Sequence, residues 1–262
     1  MSYSGEMDTI NRKTVVLPKK HGRRDFMKIK FTLQESPYLC VQSVSVLGSF
    51  NGYDEKAGEM KRLQGGWVTE AELPPGEHYY KFLINEQFML NDPQNNVFLP
   101  HLYDELWSVI VINEHEEQLY SNEQYSLNIE SYAVTSVQTE LPVEINKKTF
   151  HLGMDKQLVT RFSFTNIKGL YCISALWFDA QGQFFDYSEN ILFEDEFSSE
   201  QPVYLWFWLP LQEPDKVYPE GQWTLKLFVN GGYVLEDKYT LSHTTSYAPN
   251  GRIFSGAIDK FN

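Results

Sequence analysis

Leu73-Pro74-Pro75-Gly76-Glu77-His78-Tyr79-Tyr80-Lys81-Phe82-Leu83-Ile84 is the stretch on which the fold turns. Proline and glycine turn the chain sharply at 74–76, and the run that follows alternates side chains between two faces. His78, Tyr80, Phe82 and Ile84 fall on one face, and Tyr79, Lys81 and Leu83 on the other. A strand with an apolar face and a mixed face belongs to an antiparallel sheet packed on a core. The neighbours agree. Upstream, Val44 and Val46 alternate with serines over Ser43–Leu47 and run into Gly48-Ser49-Phe50-Asn51-Gly52-Tyr53, a strand followed by a loop. Gly65-Gly66 marks a hairpin into Trp67–Leu73. Downstream, Asn85-Glu86 turns the chain into Gln87–Leu90, and Asn91-Asp92-Pro93 ends that strand because proline cannot donate to a ladder. Leu106–Ile112 reads as the closing strand.

Short apolar segments at regular intervals continue to Leu241, with no long amphipathic helix, and the aromatic content of 15% suits pleated surfaces. Leu158–Phe164, Leu170–Phe178, Val203–Leu211, Trp223–Val229 and Tyr233–Leu241 are the expected strands of a second domain. Its clearest piece is the alternation from Trp223 to Val229 followed by Asn230-Gly231-Gly232, a hairpin signal because these residues tolerate positive φ. The fold class expected is therefore all-β, with two immunoglobulin-like β-sandwich domains in tandem. The polar, acidic run with Glu114, Glu116, Glu117 and Glu123 marks the boundary. The expected organisation is a basic arm over 1–25, a first sandwich over 26–113, a linker over 114–124, a second sandwich over 125–245 and a tail over 246–262.

Charge and composition exclude several functions. A net charge of −13 argues against nucleic acid as a partner, since binding a phosphate backbone depends on a surplus of Lys and Arg. The exception is local: Met1–Lys30 holds eight Lys/Arg against three Asp/Glu, an arm read as a solvated leader. Cys40 and Cys172 fall in different domains and make no disulfide framework, which suits a reducing compartment. No apolar export signal, membrane-length run or Asn-x-Ser/Thr acceptor occurs, so a cytoplasmic location without membrane contact is expected.

Three ordered motifs carry a resemblance. Val46-Leu47-Gly48-Ser49-Phe50-Asn51-Gly52-Tyr53, the Leu73–Ile84 run and Asn91-Asp92-Pro93 are similar to segments of the family-48 carbohydrate-binding modules, the glycogen-binding domains of AMP-activated kinase β subunits and of branching and debranching enzymes. The resemblance implies an α-glucan partner (glycogen, starch or a maltooligosaccharide). Two aromatic rings would stack on glucose while a lysine bonds its hydroxyls. By position these are Tyr53 and Phe88, each where the family has tryptophan, and Lys81, all three expected on one face. The family's Gly-x-x-Asn turn is replaced by Leu102–Trp107. Asp104 or Glu105 is expected to accept a sugar hydroxyl in place of the asparagine, and Tyr103 or Trp107 to add stacking area.

Catalytic chemistry finds no support. The six histidines are scattered without ligand spacing, so no metal or other cofactor is expected. Gly48–Gly52 has its serine one place early for a nucleophile elbow. Glu194-Asp195-Glu196 reads as a solvated turn rather than a glycosidase pair. Enzymes that carry the module add a barrel of ~250 residues, and the remaining chain is another sandwich. The expected function is a non-catalytic α-glucan-binding or targeting protein, the second domain offering a protein partner a surface. The alternative is an interaction adaptor that keeps the module's fold and has lost sugar binding. Trp67, Trp177, Trp206, Trp208 and Trp223 are expected to pack in cores or at strand ends.

Overall fold

The computed structural model describes residues 26–102, 105–121, 125–193 and 201–243. The expected basic arm, the tail from residue 246, Tyr103, Asp104 and Glu194–Glu196 lie outside them. No α-helix occurs among the described residues.

The first sandwich pairs two sheets. One has β1 (Met27–Gln34), β3 (Lys61–Leu63) and β4 (Gly66–Leu73) in the order β1-β4-β3. The other runs β2 (Val44–Gly48), β5 (Gly76–Ile84), β8 (Leu106–Ile112) and β7 (Phe98–Pro100), with β6 (Phe88–Leu90) pairing β5 and β9 (Gln118–Leu119) pairing β8. The alternation in β5 holds: Tyr80, Phe82 and Ile84 enter the core with Phe31, Val46 and Ile110. The stretch expected to be a linker is partly docked on this domain. Gln118 and Leu119 pair with Ile112 and Val111, and the Asn96 side chain holds the Ser121 carbonyl at 2.8 Å.

The second sandwich stacks β10 (Ser126–Thr135), β12 (Gln157–Lys168) and β15 (Val203–Pro210) on a five-stranded sheet. That sheet comprises β11 (Thr149–His151), β13 (Leu170–Phe178), β14 (Phe184–Phe193), β16 (Gly221–Val229) and β17 (Gly232–Ser242), in the order β11-β17-β16-β13-β14. Trp177 and Trp223, fully buried, centre this core with Phe162 and Phe207. Trp208 departs from expectation at 53% exposure. It lies on β15, an edge strand whose Phe207 and Leu209 point inward, so Tyr204, Trp206 and Trp208 take the outer face.

The five-stranded sheet is covered on both sides. In β13, Ile173, Ala175 and Trp177 enter the sheet's own core, while Leu176 and Phe178 join the core of the first sandwich and Cys172 packs with Phe98 and Leu106. A strand enclosed on both faces reads as a continuous apolar run, which explains the composition of Leu170–Phe178. Tyr38 stacks on Tyr233 at 3.9 Å, and Lys226 donates to the Tyr38 carbonyl. The hairpin tip between β16 and β17 closes the contact: a Cβ on Gly231, whose φ is 79°, would lie 1.8 Å from the Asn91 carbonyl oxygen. Only glycine satisfies both demands. Gly231→Ala should therefore lower unfolding free energy by about 1–3 kcal/mol, read as a fall in the urea midpoint.

Candidate carbohydrate site

Tyr53 is placed by its loop. The Asn51 side chain substitutes for backbone: its Oδ1 accepts from the amides of Gly48 and Tyr53 at 3.0 and 3.2 Å, and its Nδ2 donates to the Val46 carbonyl at 2.8 Å. This tight loop holds Tyr53 at a φ of 60° with its ring half-exposed. The ring joins a four-member cluster. Its hydroxyl lies 2.5 Å from His101 Nε2, His101 stacks on Tyr79 at 4.1 Å, and the buried Trp107 meets Tyr53 and His101 edge-on at 5.6 and 5.5 Å. Tyr79 donates to Glu77 Oε2 at 2.9 Å. Partial burial raises the Tyr53 and Tyr79 phenols above their ordinary pKa, the Glu77 carboxylate adding to the effect on Tyr79, so both are neutral donors at physiological pH.

Lys81 and Phe88 are not on an open face with Tyr53, a correction to the sequence expectation. Phe88 pairs with Ile84 and so shares Ile84's face, opposite Lys81. It is 2% exposed, with its ring 4.8 Å from Phe184 of the second sandwich. Lys81 is 1% exposed. Its Nζ reaches Glu189 on β14 at 2.9 and 3.1 Å and Glu105 at 3.2 Å, and stands 5.4 Å from the Trp107 ring centre. Burial pulls the ammonium's pKa down, but Glu189 and Glu105 outweigh it and the net shift is upward, so the group stays charged. Glu105 thus takes a lysine rather than a sugar hydroxyl, and Trp107 lies beneath the rings rather than beside them. Asp104 lies outside the described residues.

Asn91-Asp92-Pro93 is also structural. Asn91 bridges Leu106 and Ser108 at 2.8–2.9 Å, and Asp92 accepts from the Tyr80 hydroxyl at 2.8 Å, a fully enclosed polar network that fixes β6 against β8. Burial lifts the Asp92 pKa, opposed by bonds from Gln94 and Tyr80. Among the described residues no group of His, Cys, Asp and Glu is arranged to hold a metal ion.

Residues 40–112, most of the first sandwich, match the family described as the glycogen recognition site of AMP-activated protein kinase. No curated protein matches the chain. Among solved structures, an immunoglobulin-like protein from Pseudomonas aeruginosa aligns at 15% identity and TM-score 0.32, over 45% of this chain and 98% of that one. A maltogenic amylase from S. marinus aligns at 14% and 0.28, over 81% and 28%. A Pseudomonas fluorescens alkylpurine DNA glycosylase, bound to DNA with an abasic site analogue, aligns at 11% and 0.31, over 44% and 30%. The chain thus spans less than a third of the last two.

Removing one partner from an enclosed ion pair strands the other charge. Lys81→Ala should destabilise the protein by about 3–5 kcal/mol in chemical denaturation, and Lys81→Met combined with Glu189→Leu should recover most of that loss.

Proposed function

We propose that this chain is a non-catalytic α-glucan-binding protein whose sugar-contacting surface has moved to the cluster of Tyr53, Tyr79 and His101. The observation that carries this reading is the cluster itself: rings half-open to solvent, with phenol, imidazole, Ser49 and Glu77 groups at their rim. A glucose unit has a C–H face and a hydroxyl rim, and this surface complements both. Lys81 and Phe88 serve a different end, holding the second sandwich. Opening that contact for a ligand is unfavourable: burial of Leu176, Phe178 and Phe228 is worth on the order of 5–9 kcal/mol together, whereas a millimolar ligand supplies about 4 kcal/mol.

A second reading, an adaptor without sugar binding, is favoured by the same burial of Lys81 and Phe88 and by the outer face of β15. There Tyr204 and Trp208 are 41% and 53% exposed and the Arg161 guanidinium lies 5.2 Å from the Tyr204 ring, a surface with the aromatic and arginine chemistry of protein contacts. A reducing, cytoplasmic setting accords with two free thiols, Cys40 exposed and Cys172 buried.

Native gels cast with glycogen separate the two. The α-glucan reading requires retardation of the parent, its loss in Tyr53→Ala and Tyr79→Ala, and its retention in the Lys81→Met/Glu189→Leu double variant. A parent that migrates unretarded, in gels that slow a known glycogen binder, overturns the α-glucan reading and favours the adaptor.

A further inference from the structure

Among the described residues the edge strands of both sandwiches are guarded, with one exception. A strand at the edge of a sheet offers unpaired N–H and C=O groups to any other strand, and proteins blunt such edges with lysine, short length, bulges or a covering segment. In the first sandwich β1 carries Lys28 and Lys30, β3 and β7 are three residues each, and β2 is covered by the backbone of Gly58 and Met60. In the second, β11 is three residues, β10 breaks register twice, and β14 carries Asp186 and Glu189 and reaches the first sandwich through Lys81. β15 has none of these devices. Val203-Tyr204-Leu205-Trp206-Phe207-Trp208-Leu209 is uncharged, pairs with β12 without a bulge, and meets proline only at its last residue, Pro210.

The backbone of this strand faces outward at alternate residues. The Phe207 carbonyl accepts from Thr160 Oγ1 of β12 at 3.2 Å, whereas the Trp206 carbonyl points the other way, toward Asn190 Nδ2 of β14 at a long 3.5 Å. Alternation along an antiparallel strand then puts the N–H and C=O groups of Tyr204, Trp206 and Trp208 on the free side. Their side chains lie on the outer face, Tyr204 and Trp208 being 41% and 53% exposed. Set antiparallel to itself about a two-fold axis at Trp206, the strand is self-complementary. Trp206 meets its own counterpart and Tyr204 meets the counterpart of Trp208, each pair exchanging N–H···O bonds in both directions. The outer face gains aromatic pairs of Tyr204 with Trp208 across the new seam, a favourable kind of cross-strand neighbour. A strand carrying charges of one sign would bring them together with those of its copy, and β15 has none to oppose.

We infer that β15 is the contact strand of a homodimer, in which two copies join edge to edge and their three-stranded sheets become one continuous sheet. The occupant is a second copy rather than an unrelated strand because register, backbone bonds and ring pairs are all supplied by the strand's own sequence. The charge of −13 on each chain opposes the approach of two copies, and physiological salt, with a screening length of about 8 Å, removes most of that repulsion. The inference is independent of the α-glucan reading, to which it adds a second Tyr53 cluster on the same particle.

Sedimentation of the full chain in salt of about 0.15 M tests the contact. The parent should show a monomer–dimer equilibrium in the micromolar range. Trp208→Lys, a change at an exposed side chain, should raise the dissociation constant about tenfold, because the two-fold axis counts each lost aromatic pair twice. Tyr204→Pro removes an N–H on the free side, where an edge strand tolerates proline, and should leave a monomer that still unfolds cooperatively in urea. Should that variant fail to fold, Trp208→Lys decides the matter. A parent that stays monomeric throughout the micromolar range overturns the inference, as does a dimer whose dissociation constant Trp208→Lys leaves unchanged, since its contact then lies elsewhere.

Discussion

A lysine ammonium enclosed in protein must have carboxylates around it, and Lys81 finds its nearest one on the other domain, Glu189 at 2.9 Å. That pairing joins the two sandwiches at a point within their larger apolar contact. With Lys81 paired across the gap, the outer face of the five-stranded sheet is held against the first domain, and Leu176, Phe178 and Cys172 become core rather than surface. The direction of energetics is set by the apolar contact; the ion pair contributes registry, since a slip would leave a charge buried alone. Gly231 against Asn91 and Tyr38 on Tyr233 then follow as the close contacts this seating permits.

Much of the architecture was legible because strands announce themselves by parity. The faces of β5, the strand at Leu106–Ile112 and the β16–β17 hairpin all agree with the pattern of residues, each being an amphipathic or fully apolar run bounded by turn chemistry. β14 was not legible. Phe184–Phe193 is interrupted in its middle by Asp186 and Ser188-Glu189-Asn190 and is half-buried along most of its length, because one flank of it meets another domain rather than solvent or a continuous core. Missing β14 meant missing Glu189 and Phe184, the two groups that claim Lys81 and Phe88. A lysine in a sugar-binding position and a lysine in an interdomain ion pair have the same spacing in sequence; only the partner distinguishes them. The strand pairing of Phe88 was within reach, since the short turn after Ile84 brings Phe88 opposite Ile84 and onto the face away from Lys81.

His101 and Tyr79 were passed over for a similar reason. Neither occupies a family binding position, and they meet only because their rings reach toward each other across β8, which lies between β5 and β7. Trp208 was missed because an apolar run on an edge strand of a narrow sheet has the same composition as one enclosed between layers; exposure appears only with the strand order. What emerges is a first sandwich, matching a glycogen-recognition family over residues 40–112, in which Lys81 and Phe88 are enclosed against the second sandwich while Tyr53, Tyr79 and His101 stay half-exposed.

The central claim, that the second sandwich closes over the Lys81 face, is tested most directly by the reactivity of Cys172. This thiol is fully buried between Phe98, Leu106 and Ile191, its pKa pushed well up by burial and by the nearby Glu189 carboxylate, whereas Cys40 is exposed. Treated with a chromogenic disulfide reagent, the native Cys40→Ser variant should show no fast thiol, with or without glycogen, and should react only at the rate of global unfolding. Reaction of Cys172 in the native protein at the rate of an open cysteine would contradict the account, since the face bearing Lys81 would then be free.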